Sequence, residues 1–340
     1  MNNLSRIRGC LLAGACGDAL GYQVEFDSGR AIRQRFGSEG VRDMDLTGGV
    51  AQISDDTQMT LFTAEGMLCA LRHGEDAAAC VHQAYLDWLH TQFHSAQPGR
   101  FHEESLLLRA DALHSLRAPG NTCLGALRSG TMGTLDQPIN QSMGCGGVMR
   151  AAPAGMLRLM DAPNPEDAFA LQGAAFAAIT HGHPLGWLPA AMLADMVRLC
   201  LTMSEASLSD IASTSLDRLR RLWGDNPHWN AFEALMRRAM ALAREHLPDE
   251  EAIGELGEGW VGDEAMAIAL YCCLKHPYNM ENCLSAAVTH GGDSDSTGAV
   301  AGNLLGAHLG EKAIPARWLE HLEAREIIER MATLLAEADP

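Results

Sequence analysis

The sequence predicts an all-α fold. Ala and Leu dominate the apolar positions, whereas Val and Ile are sparse and rarely alternate with polar residues. Regular alternation is the pattern of a half-buried strand, so its rarity argues against a sheet. Apolar residues instead recur at helical spacing along most of the 340 residues, and no linker-like segment divides them. We therefore expect a single helical domain spanning residues 1–340.

The periodic segments place the predicted helices along the chain. A Gly- and Ala-rich helix is predicted at Gly9–Gly21, and its small side chains favour tight packing. The amphipathic runs that follow are Met59–Arg72, Cys80–His90, Glu103–Leu116, Trp187–Leu201, Ile211–Trp223, Ala231–His246, Glu264–Lys275, Met280–Thr289, Thr297–Leu309 and Pro315–Ala336. Loops are predicted at 36–58, 117–155 and 247–262. The many small residues of Thr297–Leu309 predict a helix deep in the core.

Charge and cysteine usage exclude several classes of function. The formal net charge of −18 disfavours nucleic-acid binding, which depends on Lys and Arg to neutralise phosphates. Ten cysteines show neither a disulfide framework nor zinc-ligand spacing, which is typical of reduced core residues. No signal peptide is evident at the N-terminus, and no apolar stretch is expected to span a membrane. We expect a soluble, cytoplasmic protein.

Two acidic clusters stand near opposite ends of the chain. Ser54-Asp55-Asp56-Thr57 and the segment 291–298, which contains Asp293, Asp295 and Ser296, each begin a helix-forming stretch. An Asp or Ser there is commonly an N-cap, but the glycines around the second cluster also permit close backbone approach. Four carboxylates in one pocket repel strongly unless cations neutralise them, and hard divalent cations prefer oxygen ligands. The two clusters therefore predict one metal site.

Three further segments are candidates for chemistry. Glu25 lies between Val24 and Phe26, where burial would raise its pKa and suit it to act as a general base or metal ligand. The glycine-rich run 142–147 is typical of a loop whose amides face an anion, although a structural turn is the commoner reason for such glycines. His181 lies at a helix end, where it would cap the helix or contact a ligand. Asp18 is read as a solvated residue of a packing helix.

The ordered motifs resemble one family over nearly the whole chain. GDALG, followed by Glu25, then SDDT, SMGCGGVMR, THGHP and HGGDSDSTG are similar to the motifs of the ADP-ribosylglycohydrolases, in the same order. The resemblance implies an all-α orthogonal bundle with a central dinuclear Mg²⁺ or Mn²⁺ centre. It also implies hydrolysis of ADP-ribose from a modified protein side chain or from an ADP-ribose-containing small molecule.

The resemblance assigns roles to residues by their place in the motifs. Two divalent cations would be held by Ser54, Asp55, Asp56, Asp293, Asp295 and Ser296. Glu25 and Asp56 would be the catalytic residues. The distal ribose and diphosphate would contact Ser142, Gly144, Gly146, Gly147 and His181. Cys145 departs from the Asn of many members, and Met143 replaces an aromatic residue that stacks on adenine in some.

The resemblance covers several linkages between ADP-ribose and its carrier. Arginine-linked ADP-ribose is favoured by analogy with bacterial members of the family. The alternatives are O-linked ADP-ribose, as in ADP-ribosyl-serine or O-acetyl-ADP-ribose, and a non-catalytic, crystallin-like member of the fold. A different two-metal hydrolase is a further alternative, but paired His–Asp motifs are absent from the sequence.

Overall fold

The computed structural model describes residues 3–338, and this part of the chain is helical without a β-strand. The α-helices are α1 (Asn3–Tyr22), α2 (Gly29–Phe36), α3 (Asp55–His73), α4 (Ala77–Gln92), α5 (Asn121–Arg128), α6 (Ala168–Ala178), α7 (Pro184–Thr202), α8 (Leu208–Trp223), α9 (Trp229–Leu242), α10 (Asp249–Gly254), α11 (Gly262–Lys275), α12 (Met280–Val288), α13 (Ser294–Leu309), α14 (Ala316–His321) and α15 (Arg325–Ala338). Short 3₁₀ turns join several of them. The all-α prediction is confirmed.

Helices α1 and α13 form the centre of the fold and pack at very short range. A Cβ atom added at Gly17 would lie 2.0 Å from the carbonyl oxygen of Gly298, and one at Gly298 would lie 2.4 Å from that of Gly17. The same backbone-to-backbone contact recurs between Gly9 and Gly306. These glycines permit helix contact, which accounts for Gly298 without a ligand. The prediction that the second acidic cluster leads into a core helix is confirmed, since Ser294–Ala307 are all buried.

The remaining helices surround this pair. Helix α7 packs against α6, α8, α11 and α13, and α3 packs against α4. By length and apolar composition Pro184–Thr202 passes for a membrane span, contrary to the expectation that no stretch would. Most of it (83% of the apolar window) is buried inside the fold, as expected of the core helix of a folded domain.

The predicted helix Glu103–Leu116 was wrong. The chain instead makes three 3₁₀ turns, at His102–Glu104, Leu107–Arg109 and Asp111–Leu113. The Glu65 carboxylate accepts hydrogen bonds from the amides of Leu106 and Leu107 and from the Ser105 hydroxyl. Side-chain hydrogen bonds of this kind compete with the backbone hydrogen bonds of a helix. The apolar spacing alone therefore predicted a helix where none forms.

Other boundaries also differ from the prediction. The run Pro315–Ala336 is two helices, because the chain turns at Ala324 (φ 56°) after pairing with Ala51. Helices α2, α5, α6 and α10 were not predicted, and α5 and α10 lie within segments that were predicted to be loops. Helix α6 is apolar on nearly every side and its one polar residue, Gln172, is buried, so no amphipathic stripe marks it.

Candidate functional site

A cavity of about 610 Å³ opens between the N-terminal ends of α3 and α13. Its lining includes Glu25, Asp55, Asp56, Asp293, Asp295 and Ser296, together with Gly144, Gly146 and His181. The fold therefore brings both acidic clusters to one cavity. Ser54, Ser142 and Gly147 are not part of this lining.

The first cluster is the N-terminal turn of α3. Ser54 is the N-cap, and its hydroxyl accepts the amide of Asp56 at 3.2 Å. Asp55 and Asp56 are buried, at 4% and 2% exposure, and one Asp55 oxygen accepts the amide of Gly120 at 3.2 Å. Oδ2 of Asp56 is buried and has no hydrogen-bond partner among the described residues. The interpretation of Ser54 as an N-cap is thus correct. The helical turn that it caps presents two carboxylates to the cavity.

The second cluster is the N-terminal turn of α13. Asp293 is the N-cap, and its amide donates to the carbonyl of Glu258 at 2.8 Å. The amide of Ser296 donates to Asp295 Oδ1 at 2.9 Å. Thr297 anchors the turn, since its hydroxyl lies 2.7 Å from the carbonyl of Ala287. The backbone of this turn is therefore fixed from several directions, and its carboxylates are held in place.

The electrostatics show how strongly these acids disfavour ionisation together. Burial, followed by repulsion from Asp295, raises the pKa of Glu25 to about 10. The same two causes hold the pKa of Asp55, Asp56 and Asp293 well above the ordinary value. A cation would reverse this balance, because it favours the ionised carboxylates.

The donor set fits a hard divalent cation. Its atoms are carboxylate and hydroxyl oxygens, and both Glu25 Oε2 and Asp56 Oδ2 are buried without a hydrogen-bond partner among residues 3–338. Within the same residues, no three His, Cys, Asp or Glu side chains are arranged closely enough to enclose an ion. The number of ions and their ligands therefore stay a prediction.

The expectation that Asp18 is solvated was wrong. Asp18 is fully buried, and both its oxygens lie 3.0 Å from the amide of Ser54. It also accepts the amide of Thr57 at 3.1 Å and the Thr57 hydroxyl. Burial, followed by repulsion from Asp295, raises its pKa to about 7. The motif GDALG, which contains Asp18, does not indicate this contact, because Ser54 is distant in sequence.

The glycine-rich segment forms a 3₁₀ turn, Cys145–Gly147, on one wall of the cavity. The Ser142 hydroxyl accepts the Gly144 amide at 3.3 Å and contacts Thr122 at 3.0 Å, so it shapes the loop. A Cβ atom at Gly147 would lie 2.6 Å from the carbonyl of Gly186. Close packing thus explains Gly147, while Gly144 and Gly146 face the cavity.

The two histidines of the THGHP motif separate in the structure. His181 is 1% exposed and forms part of the cavity wall beside the glycine turn. His183 caps α7, and its Nδ1 accepts the amide of Leu185 at 3.1 Å. Only His181 is therefore placed to meet a ligand.

An aromatic pair marks the mouth of the cavity. The rings of Phe26 and Trp260 stack with centroids 6.3 Å apart, and the side chains are 76% and 41% exposed. Neither was singled out from the sequence, because an isolated exposed aromatic residue carries no pattern. Met143 is also partly exposed, at 37%, but is not part of the lining.

The described chain is an all-helical protein whose buried acids gather at one cavity suited to hard cations. The sequence matches the ADP-ribosylglycohydrolase family over residues 1–340, and the chain belongs to that family. It is accordingly a hydrolase enzyme of this family.

Named relatives agree with this membership. The chain is 29% identical to the ADP-ribosyl-[dinitrogen reductase] glycohydrolase of Rhodospirillum rubrum over 97% of this chain and 96% of that protein. It is 25% identical to the ADP-ribosylhydrolase ARH3 of Danio rerio, over 98% and 90% of the two chains. A solved structure described as an ADP-ribosylglycohydrolase-related protein complex superimposes with a TM-score of 0.67 at 26% identity, covering 100% of this chain and 99% of that one.

Proposed function

We propose that the protein is a metal-dependent hydrolase that releases ADP-ribose from modified protein side chains, with arginine as the linked residue. The observation that carries the proposal is the meeting of Asp55 and Asp56 with Asp293 and Asp295 around one cavity. The family membership supplies the reaction class.

The proposed cation ligands are Ser54, Asp55, Asp56, Asp293, Asp295 and Ser296, which would hold two Mg²⁺ or Mn²⁺ ions. When bound, such ions would orient the hydroxyls of the proximal ribose and stabilise charge as the C1 bond breaks. The buried, unpaired oxygen of Asp56 supports its inclusion, and supports the further proposal that Asp56 also takes part in the catalytic step.

Glu25 is the proposed acid–base residue. It is 8% exposed, lines the same cavity and has one buried oxygen without a hydrogen-bond partner in the described chain. Burial raises its pKa, and a protonated carboxyl group can give a proton to a leaving group, whereas the proposed cations would favour the ionised form that takes a proton from water. Cleavage at C1 is expected to pass through an oxocarbenium-like transition state, as in other glycosyl hydrolases.

The glycine turn and His181 are the proposed site for the diphosphate and distal ribose. Glycine lets a ligand approach the backbone closely, and a buried imidazole can donate one directed hydrogen bond. Ser142 and Gly147 support the shape of this turn, whereas Gly144 and Gly146 lie on the cavity itself.

Protein-linked ADP-ribose is favoured because the Rhodospirillum rubrum relative is named for an ADP-ribosylated protein and matches along nearly its full length. O-linked ADP-ribose is the second candidate, since a relative over a similar span is an ADP-ribosylhydrolase ARH3. A non-catalytic role is disfavoured by the presence of every proposed acid. The proposed setting is the cytoplasm, with no nucleic-acid or membrane partner.

One comparison of substrates tests the proposal. The protein would be incubated with Mg²⁺ or Mn²⁺ and with arginine-, serine- and acetyl-linked ADP-ribose in parallel, and released ADP-ribose would be measured. Release from the arginine substrate alone, lost with chelator and in Asp295→Ala, supports the proposal. Release from only an O-linked substrate replaces the linkage, and release from none refutes the enzymatic assignment.

A further inference from the structure

Arg150 is a buried cation directly behind the candidate site. It is 1% exposed, and its guanidinium carbon lies 4.3 Å from the centre of the Tyr85 ring. Nη1 contacts the sulfur atoms of Met59 and Cys123, each at 3.3 Å. Its partners among the described residues are thus two sulfur atoms, the Tyr85 side chain and the Thr180 hydroxyl rather than a carboxylate. An ion pair with a carboxylate therefore does not account for this buried guanidinium.

The hydroxyl partner connects Arg150 to the cavity. Arg150 Nη2 donates to Thr180 Oγ1 at 2.6 Å, and that oxygen lies 2.8 Å from Nδ1 of His181. A guanidinium can only donate hydrogen bonds, so the Thr180 oxygen accepts and keeps its own proton for another partner.

The Thr180 hydroxyl can donate its proton to one of two neighbouring acceptors. Cys123 is one, but sulfur is a weak acceptor and this sulfur already receives Nη1 of Arg150. The other is the Nδ1 lone pair of His181, which is the stronger acceptor. Donation to Nδ1 leaves the single proton of a neutral imidazole on Nε2.

We propose that Arg150 and Thr180 are positioning residues that hold His181 as its Nε2–H tautomer, so that the ring donates a hydrogen bond to an anionic ligand in the cavity. The Nε2 edge faces the glycine turn: a Cβ atom at Gly144 or Gly146 would lie 3.3 or 3.2 Å from it. The identity of that ligand as a diphosphate rests on the proposed function; the tautomer does not.

The neutral state of His181 makes the tautomer matter. Burial, with the charge of Arg150 adding to it, lowers the pKa of His181 to about 3. The ring therefore carries one proton at physiological pH, and its position decides whether the ring donates or accepts towards the cavity.

The backbone on either side of His181 is held separately, by the side chain of Asn140. The Asn140 amide nitrogen donates to the carbonyl of Thr180 at 2.7 Å, and its oxygen accepts the amides of Ser142 and Gly182, each at 3.0 Å. Removal of the Thr180 hydroxyl should thus change which nitrogen of His181 carries the proton, and it should leave the loop in place.

The first test is a direct measurement of the tautomer by ¹⁵N NMR on the full chain labelled at histidine. The His181 signals are assigned by their loss in His181→Gln. We expect an unprotonated Nδ1 and a protonated Nε2 in the wild type and in Thr180→Ser, and a mixture of tautomers in Thr180→Val and Arg150→Met. A protonated Nδ1 in the wild type overturns the proposal, whatever the variants do.

The second test is the affinity for ADP-ribose in the presence of Mg²⁺, measured by calorimetry. Loss of a hydrogen bond to a charged group predicts about tenfold weaker binding in Thr180→Val and recovery in Thr180→Ser. Thr91→Val is the matched control, because it removes another buried hydroxyl, 2.7 Å from the carbonyl of Trp88, at a residue that is not a partner of Arg150 or His181. Wild-type affinity in Thr180→Val contradicts the proposal. If the wild type binds no ADP-ribose, the proposed function fails, while NMR still decides the tautomer.

Discussion

Both carboxylate oxygens of Asp18 lie 3.0 Å from the backbone amide of Ser54, and this contact joins α1 to the first turn of α3. The contact fixes the backbone that carries Asp55 and Asp56 without using either of their side chains. Asp18 therefore supports the candidate ligands from behind, and its effect should be visible in metal affinity.

Asp18→Asn should weaken metal binding by about 10- to 100-fold, the range for residues that orient metal ligands. The amide group of Asn would point hydrogens at the donors of Ser54 and Thr57, and the turn would shift. The measurement is Mn²⁺ affinity by calorimetry. Glu65→Gln is the matched control, since that acid also accepts two backbone amides and a hydroxyl but lies outside the cavity lining. Equal metal affinity in wild type and Asp18→Asn would contradict this role.

Glu25→Gln should lower kcat by about 10²- to 10⁴-fold while metal binding persists, because Gln keeps the shape of Glu but cannot transfer a proton. The checks are turnover of the substrate found active and metal content by mass spectrometry. Glu103→Gln, a change of the same kind at an exposed position, should leave both unchanged. Full turnover in Glu25→Gln would remove Glu25 from the catalytic step.

The sequence predicted the helical class and the cavity acids because both are local signals. Asp55 and Asp295 each stand in a short acidic motif, and the apolar and small residues that follow each motif indicate a helix. Asp18 and Arg150 were missed for the opposite reason. Their partners, Ser54 and Thr180, are distant in sequence, so only the folded chain shows that either residue serves the site.

The failure at Glu103–Leu116 has a related cause. Its apolar spacing suits a helix, but the Glu65 carboxylate on α3 captures the amides of Leu106 and Leu107. A tertiary hydrogen bond thus overrode a local preference. Helix α6 was missed because burial on all sides removes the amphipathic pattern on which the prediction depends.

Gly17→Ala should destabilise the protein by about 3 kcal/mol, since overpacking a core contact costs roughly this amount. The new Cβ would lie 2.0 Å from the carbonyl oxygen of Gly298, so α1 and α13 must move apart. Chemical denaturation measures the effect. Gly125→Ala is the control: Gly125 is an exposed helical position with open space, and Ala there should stabilise by about 0.5–1 kcal/mol. Equal stability changes in the two variants would refute the close-contact argument.

Asp87 should make the folded state less stable as pH rises from 4 to 6. Burial raises its pKa from 3.8 to about 6, although the amide of Gly99 donates to it at 2.8 Å and opposes the shift. Between these two values the folded protein binds more protons than the unfolded chain, so the free energy of unfolding falls as pH increases. The contribution present below pH 4 is lost by about pH 6, and the shift corresponds to at most about 3 kcal/mol.

Asp87→Asn isolates this contribution, because Asn is permanently neutral and its oxygen can still accept the Gly99 amide. Urea denaturation at pH 4, 5, 6 and 7 should show that the variant gains stability relative to the wild type as pH rises, with most of the gain reached near pH 6. Asp111→Asn, at an exposed carboxylate, should follow the wild-type curve. A constant difference between wild type and Asp87→Asn at all four pH values would show that Asp87 ionises as readily in the folded protein as in the unfolded chain. Folding would then leave the pKa of Asp87 unchanged, contrary to the effect expected from the burial of its side chain.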